Sequence, residues 1–204
     1  MTGVSTYMKL IMTFLSGLLI ASGLAIAQTV PSYSFSDDAL VLEYDRYSLK
    51  IHRLDTTPLI RIYGSGRVQV YFSVFSPKAG VYETHLSADE LDNLVLQLSS
   101  NGLDQNASNM LAESAEEASI QARQSGGDLY YSSESTVSVL NMFWDGAGED
   151  PLIVDNLQQN HQRFPSVTTI QDLATIERQL LELANSDLGA PVASAKSIQP
   201  KAVP

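Results

Sequence analysis

Three histidines, His52, His85 and His161, are the only imidazoles in the chain. No His-x-x-x-His, His-Glu-x-x-His or Gly-x-Ser-x-Gly pattern surrounds them, so their spacing builds neither a zinc site nor a nucleophile elbow. His85 alternates with Glu83 and Val81 and reads as a solvent-facing strand residue. One acid–base reading survives, a periplasmic hydrolase in which Asp145, Glu149 or Asp150 works with His161, and it requires these groups to share one cleft. A third chemistry uses the same loop. Trp144, Asp145, Gly146, Ala147, Gly148, Glu149 and Asp150 set carboxylates beside glycines, and oxygen ligands on a pliable loop suit calcium. The loop lacks the alternating ligands of an EF-hand, so an ordinary acidic turn competes with a cation-binding module formed by Asp145, Glu149 and Asp150. Contact chemistry is the remaining class. Arg67, Gln69 and Tyr71 project from one side of a strand, and with the sole tryptophan, Trp144, they are the candidate binding residues.

Composition removes several alternatives. The 204 residues carry 12 Lys plus Arg against 23 Asp plus Glu, a formal charge of −11, and no basic cluster neutralises a row of phosphates. Nucleic acid is therefore not an expected partner. The absence of cysteine removes disulfides, thiolate metal sites and thiol nucleophiles. No cofactor is implied by any motif.

Residues 1–27 have the pattern of a secretory signal peptide: Lys9, an apolar stretch from Leu10 to Ile20, and the small residues Ala25 and Ala27 before Gln28. Cleavage there would leave 11 basic and 23 acidic residues, a net charge of −12, and no stable membrane span. The competing reading is a retained anchor. An acidic, cysteine-free product suits the bacterial periplasm or the medium.

The elements that must position any site follow from periodicity. Residues 28–38 mix proline, serine and aspartate and read as a flexible leader. Leu40, Leu42 and Tyr44 alternate with Val41, Glu43 and Asp45 as a strand. Leu59 to Tyr63 and Arg67 to Phe75 flank Gly64, Ser65 and Gly66 as a hairpin, with Val68, Val70, Phe72 and Val74 on the inner side. Val81 to Leu86 form another strand and run into a Ser87…Glu90 capping box, after which Leu91, Leu94, Val95 and Leu98 mark an amphipathic helix. A second helix over 105–124 presents an alanine-rich stripe with Leu111. Leu129 to Tyr131, Thr136 to Trp144 and Leu152 to Val154 are further strands. Thr168 and Gln171 offer a second capping box, opening a helix with Ile170, Leu173, Ile176, Leu180 and Leu183 on one stripe. Residues 187–204 read as a disordered tail.

These elements predict an α+β fold, an antiparallel sheet with two or three helices on one face, in a single domain over 39–186. The order also permits two similar βββα halves, 39–103 and 126–186, joined by the 105–124 helix. Gly66 to Tyr71, followed by a strand and Ser87-Ala88-Asp89-Glu90-Leu91, is similar to uncharacterised bacterial secreted α+β domains over about residues 59–103. That resemblance implies an exported α+β protein and supplies no site residues. The resulting expectation is a non-catalytic exported protein that binds a protein, peptide or envelope component through its sheet face or an edge strand.

Overall fold

The computed structural model of the chain describes residues 29–50, 55–100, 107–125 and 136–193. The signal segment 1–27, the strand expected at Leu129–Tyr131 and residues 194–204 of the tail lie outside the described residues. Among the described residues no helix is long and apolar enough to cross a membrane.

The strands are β1 (Leu40–Ser48), β2 (Ile60–Tyr63), β3 (Arg67–Phe72), β4 (Gly80–His85), β5 (Thr136–Met142) and β6 (Leu152–Asp155), and the helices are α1 (Ala88–Ser100), α2 (Ala107–Gln124), α3 (Leu157–Arg163) and α4 (Thr168–Asn185). The strands make one antiparallel sheet in the order β4-β3-β2-β1-β5-β6, and the helices pack against it in an α+β fold. The first strand thus lies inside the sheet, with the β2–β4 meander on one side and the β5–β6 pair on the other. Strands from both halves of the chain hydrogen-bond across the β1–β5 seam, so the halves share one sheet.

Period-two patterning sorts the faces. Leu42 and Tyr44, Ile60 and Ile62, Val68 and Val70, Leu140 and Met142, and Leu152 and Val154 all enter one buried cluster. The same cluster takes Leu91, Leu94, Val95 and Leu98 of α1 and Ile170, Leu173, Ile176 and Leu180 of α4. Each such large side chain contributes roughly 1.5–3 kcal/mol on burial, which is why a single stripe per helix suffices to hold the two layers together. The Ser87–Glu90 capping box forms as its sequence predicts: the Ser87 N–H donates to Glu90 Oε2 at 2.8 Å and the Glu90 N–H donates to Ser87 Oγ at 3.3 Å.

Several expectations are corrected by the structure. The third strand ends at Phe72 rather than Phe75. Turns closed by Ser76 N–H to the Ser73 carbonyl (2.9 Å) and Ala79 N–H to the Ser76 carbonyl (3.0 Å) lift the chain off the ladder. Val74 and Phe75 are therefore exposed, at 48% and 77%. Thr168 and Gln171 form no capping box. The N-cap of α4 is Val167, without a side-chain cap, and Gln171 Nε2 instead donates to the carbonyls of His161 (2.9 Å) and Phe164 (3.2 Å), tying α4 to the end of α3. The short α3 itself was not anticipated. Asn156, in the left-handed conformation, turns the chain into it directly from β6.

The packed body also begins before Ala39. Tyr33, within the stretch read as a flexible leader, is buried, and its hydroxyl donates to Asp92 Oδ1 at 2.6 Å. The Ser32 carbonyl accepts the Asp145 N–H at 2.9 Å. At the other end, Val192 and Ala193, read as tail, hydrogen-bond to Val81 at the sheet edge.

Candidate functional site

The helices cover one face of the sheet; the opposite face carries the polar residues of the period-two pattern. Register places Glu83 of β4 beside Gln69 of β3, Gln69 beside Arg61 of β2, Arg61 beside Glu43 of β1, and Glu43 beside Asn141 of β5. These side chains form a transverse row across five strands. Arg61 Nε donates to Glu43 Oε1 at 2.9 Å, and Asn141 Nδ2 reaches Glu43 Oε2 at 3.5 Å. Gln69 Nε2 donates to Glu83 Oε1 at 2.9 Å, and Arg67 Nη1 reaches the same oxygen at 3.1 Å. Tyr63 OH donates to Gln69 Oε1 at 2.9 Å, while the Arg67 guanidinium lies 3.9 Å from the Tyr63 ring centroid. Beside Arg61 and Glu43 the face is concave, a hollow of about 400 Å³ that also touches Tyr47 and Pro58.

Electrostatically the row is balanced rather than uniformly acidic. The hydrogen bond from Gln69 lowers the Glu83 pKa from its ordinary 4.5, desolvation opposes that shift, and Arg67 adds to it. A carboxyl lowered in the folded state stabilises the fold above its unfolded pKa, and that contribution is lost as pH falls through the folded value. The difference in urea midpoint between the parent chain and Glu83→Gln is therefore expected to be present at about pH 6 and to shrink by about pH 3. A constant difference over that interval would show that the carboxylate's pairing carries no stability.

Of the residues singled out from sequence, Arg67 and Gln69 do lie on this face and belong to its network. Tyr71 shares the face but is only 8% exposed. Its hydroxyl makes a short hydrogen bond to Asp55, and its ring packs with Val81 and Ala193, so it is a buttress of the face instead of an exposed contact. Burial, with the hydrogen bond and charge of Asp55 behind it, pushes its phenol up to about 12. Trp144 is likewise largely buried. It is 9% exposed and sits in the main core cluster, because β5 ends at Met142 and the chain turns the indole inward.

The acidic loop does not assemble a metal centre. Asp145, Glu149 and Asp150 are exposed, and among the described residues no group of three His, Asp or Glu side chains could hold an ion. His161 does not join them either. Its Nδ1 is buried without a hydrogen-bond partner among the described residues, and no hydrogen bond or ion pair connects it to the loop carboxylates. His85 is exposed, at the end of β4.

One polar cluster escaped the sequence reading. Glu177 of α4 is 2% exposed and accepts hydrogen bonds from Tyr44 OH (2.8 Å), Gln158 Nε2 (2.5 Å) and Ser138 Oγ, with Arg46 Nε 4.0 Å away. A serine beside a carboxylate suggests a nucleophile, yet Ser138 is 1% exposed and both are sealed between α4 and the sheet, out of reach of any substrate. The cluster is structural. Burial, then the charge and hydrogen bond of Glu177, raises the Tyr44 phenol far above the ordinary tyrosine range, so it stays a donor. A signal for it existed: Glu177 falls four residues after Leu173 and three before Leu180, on the apolar stripe.

The fold and face together define an α+β protein with one helix-packed sheet surface and an opposite surface crossed by a polar row. No family model matches the chain, and no curated protein or solved structure matches it either.

Proposed function

We propose that this chain is an exported, non-catalytic periplasmic protein that binds a protein, peptide or envelope component through the polar face of its sheet and the adjoining edge. The observation that carries the reading is the transverse row Glu83, Gln69, Arg61, Glu43 and Asn141. It is held in fixed geometry by its own hydrogen bonds, on the face opposite the helices. Pre-ordered side chains lose little conformational entropy on binding, and alternating charge selects a complementary partner while repelling wrong ones. The signal-peptide pattern of residues 1–27 and the cysteine-free composition support export.

The test has two arms. Fractionation with N-terminal sequencing is expected to find the chain in the periplasm, beginning at Gln28. Immobilised mature chain is expected to retain an envelope component that Arg61→Ala and Arg67→Ala each release by about tenfold, a loss of ~1.4 kcal/mol of binding. Melting temperatures checked in parallel should stay within a few degrees, because both arginines are partly exposed and surface ion pairs contribute about 1 kcal/mol or less. A variant combining Asp145→Asn, Glu149→Gln and Asp150→Asn should bind as the parent does. Retention unaffected by the arginine changes but abolished by the loop changes would move the site to the loop.

A further inference from the structure

Register places two connecting segments at one end of the sheet. Phe72 of β3 pairs with Gly80, Val70 with Ile60, and Ile60 with Tyr44, so the turn 73–79 leaves the ladder at the end where β1 stops at Ser48. The β1–β2 connection starts there too, and its Asp55, Thr57 and Leu59 line one hollow with Ser73 and Ser76 of the turn. Both segments leave large apolar side chains in water. Leu49, Val74 and Phe75 are exposed, Phe75 at 77% more than any other large apolar residue described, and the two strand ends are two spacings, roughly 10 Å, apart. The turn is closed by its own hydrogen bonds, and Lys78 N–H adds one to Ser76 Oγ at 3.2 Å. Apolar side chains held in water by an ordered turn mark a contact site. Charge is distributed to match. Lys50 and Lys78 are the only lysines among the described residues, one in each segment, and Lys78 Nζ rests 5.9 Å from the Phe72 ring centroid. The carboxylates nearest them line the hollow, where Asp55 accepts from Tyr71 OH and Thr57 N–H and Asp45 accepts the Arg46 N–H; Asp155 of β6 sits two strands beyond β1.

We propose that this end of the sheet is a peripheral membrane contact. Val74, Phe75 and Leu49 enter the interface of a phospholipid bilayer, and Lys50 and Lys78 bind the headgroup phosphates of its anionic lipids. The tips project on turns, with Pro77 and Ala79 beside them also exposed, and that shape favours a bilayer over a folded partner. A protein would need a matching concavity and roughly 800 Å² of continuous surface on each side. A fluid interface closes around a projecting ring and supplies phosphate to a neighbouring lysine. The net charge of −11 repels the rest of the molecule from an anionic leaflet and so turns this end toward it. The contact lies at the strand ends, apart from the row Glu83 to Asn141, and goes beyond the polar-face reading without depending on it.

The experiment uses the full chain carrying Phe75→Trp, mixed with vesicles of phosphatidylcholine and phosphatidylglycerol or of phosphatidylcholine alone. Trp144 is buried, so the parent chain supplies its background emission. On the mixed vesicles the indole at position 75 is expected to shift to the blue and to be quenched by brominated acyl chains. Adding Lys50→Glu and Lys78→Glu should raise the lipid needed for half-maximal quenching by about tenfold or more, since one lysine near an anionic surface is worth about fivefold. Leaving out phosphatidylglycerol should have the same effect. Phe143→Trp is the control: Phe143 is exposed at the opposite end of the sheet, next to the Met142 that pairs with Leu42, and should not be quenched. This local signal separates the two segments from the apolar stretch Leu10 to Ile20, which every variant shares. No quenching at position 75, equal quenching at position 143, or indifference to the lysine changes would overturn the proposal. A blue shift that grows with chain concentration in the absence of vesicles would assign the tips to a second copy and overturn it as well. Envelope retention that Arg61→Ala abolishes would keep the face reading standing whichever way the vesicles decide.

Discussion

Glu177→Ala is expected to destabilise the fold by about 3–5 kcal/mol, a large share of the roughly 5–15 kcal/mol that holds a domain together. The substitution leaves Tyr44 OH, Ser138 OH and the half-buried Gln158 amide without their shared acceptor, the two hydroxyls in a place that water does not reach. It also opens space between α4 and strands β1 and β5. Glu177→Gln should cost less, because Oε1 can still accept from Tyr44 and Ser138 while its new amide faces the Gln158 amide, donor against donor. The decisive variant is the triple change Tyr44→Phe, Ser138→Ala and Glu177→Leu. Removing the two buried donors and the acceptor together should recover most of the loss, since apolar replacement of a buried network is often neutral and the half-buried Gln158 amide can turn to solvent. Urea denaturation of the three variants measures this. If Glu177→Ala unfolds at the parent's midpoint, the cluster is not the anchor of α4.

Gly64→Ala is the second large effect, at roughly 3 kcal/mol. Gly64 is buried at the β2–β3 turn, its N–H bonded to the Ala39 carbonyl at 2.9 Å, and an added Cβ would land on the Ser34 carbonyl. Backbone cannot swing aside as a side chain can. Relief requires residues 32–35 to leave, and with them go the burial of Tyr33 and its bond to Asp92. Ser32, Tyr33 and Ser34 line the same hollow as Trp144, the only tryptophan, so its emission should shift to the red as the segment detaches. Gly146→Ala is the control. Gly146 has φ +86 but nothing within 4 Å of an added Cβ, so it carries backbone strain of about 1 kcal/mol and no clash, and the tryptophan signal should stay. An unmoved emission in Gly64→Ala would show that the Tyr33 segment is not held by this contact.

The polar face shows how far periodicity alone can reach. The alternation of Arg67, Gln69 and Tyr71 with Val68, Val70 and Phe72 assigns each residue to a face, and the structure agrees. It does not say what covers a residue on that face. Tyr71 is buried because Asp55 and Ala193, from segments 16 residues before and more than a hundred after it, meet it there. The loop carboxylates and His161 posed the opposite problem. Their residue types admit an acid–base pair or a cation site, but proximity is a tertiary property, and among the described residues no hydrogen bond or ion pair joins them.

What the sequence determined by itself was local: the strand alternation of β1 to β3, the Ser87–Glu90 cap, the stripes of α1 and α4, and hence an antiparallel α+β fold with helices against the sheet. These features arise from interactions within a few residues, where backbone geometry converts spacing directly into direction. Only the tertiary structure decided the strand order, the Tyr44–Glu177 bond across 133 positions, the docking of Tyr33 on Asp92 and the pairing of Ala193 with Val81. Such contacts depend on which distant groups are left buried and unsatisfied once the layers close, and that requirement has no period in the chain.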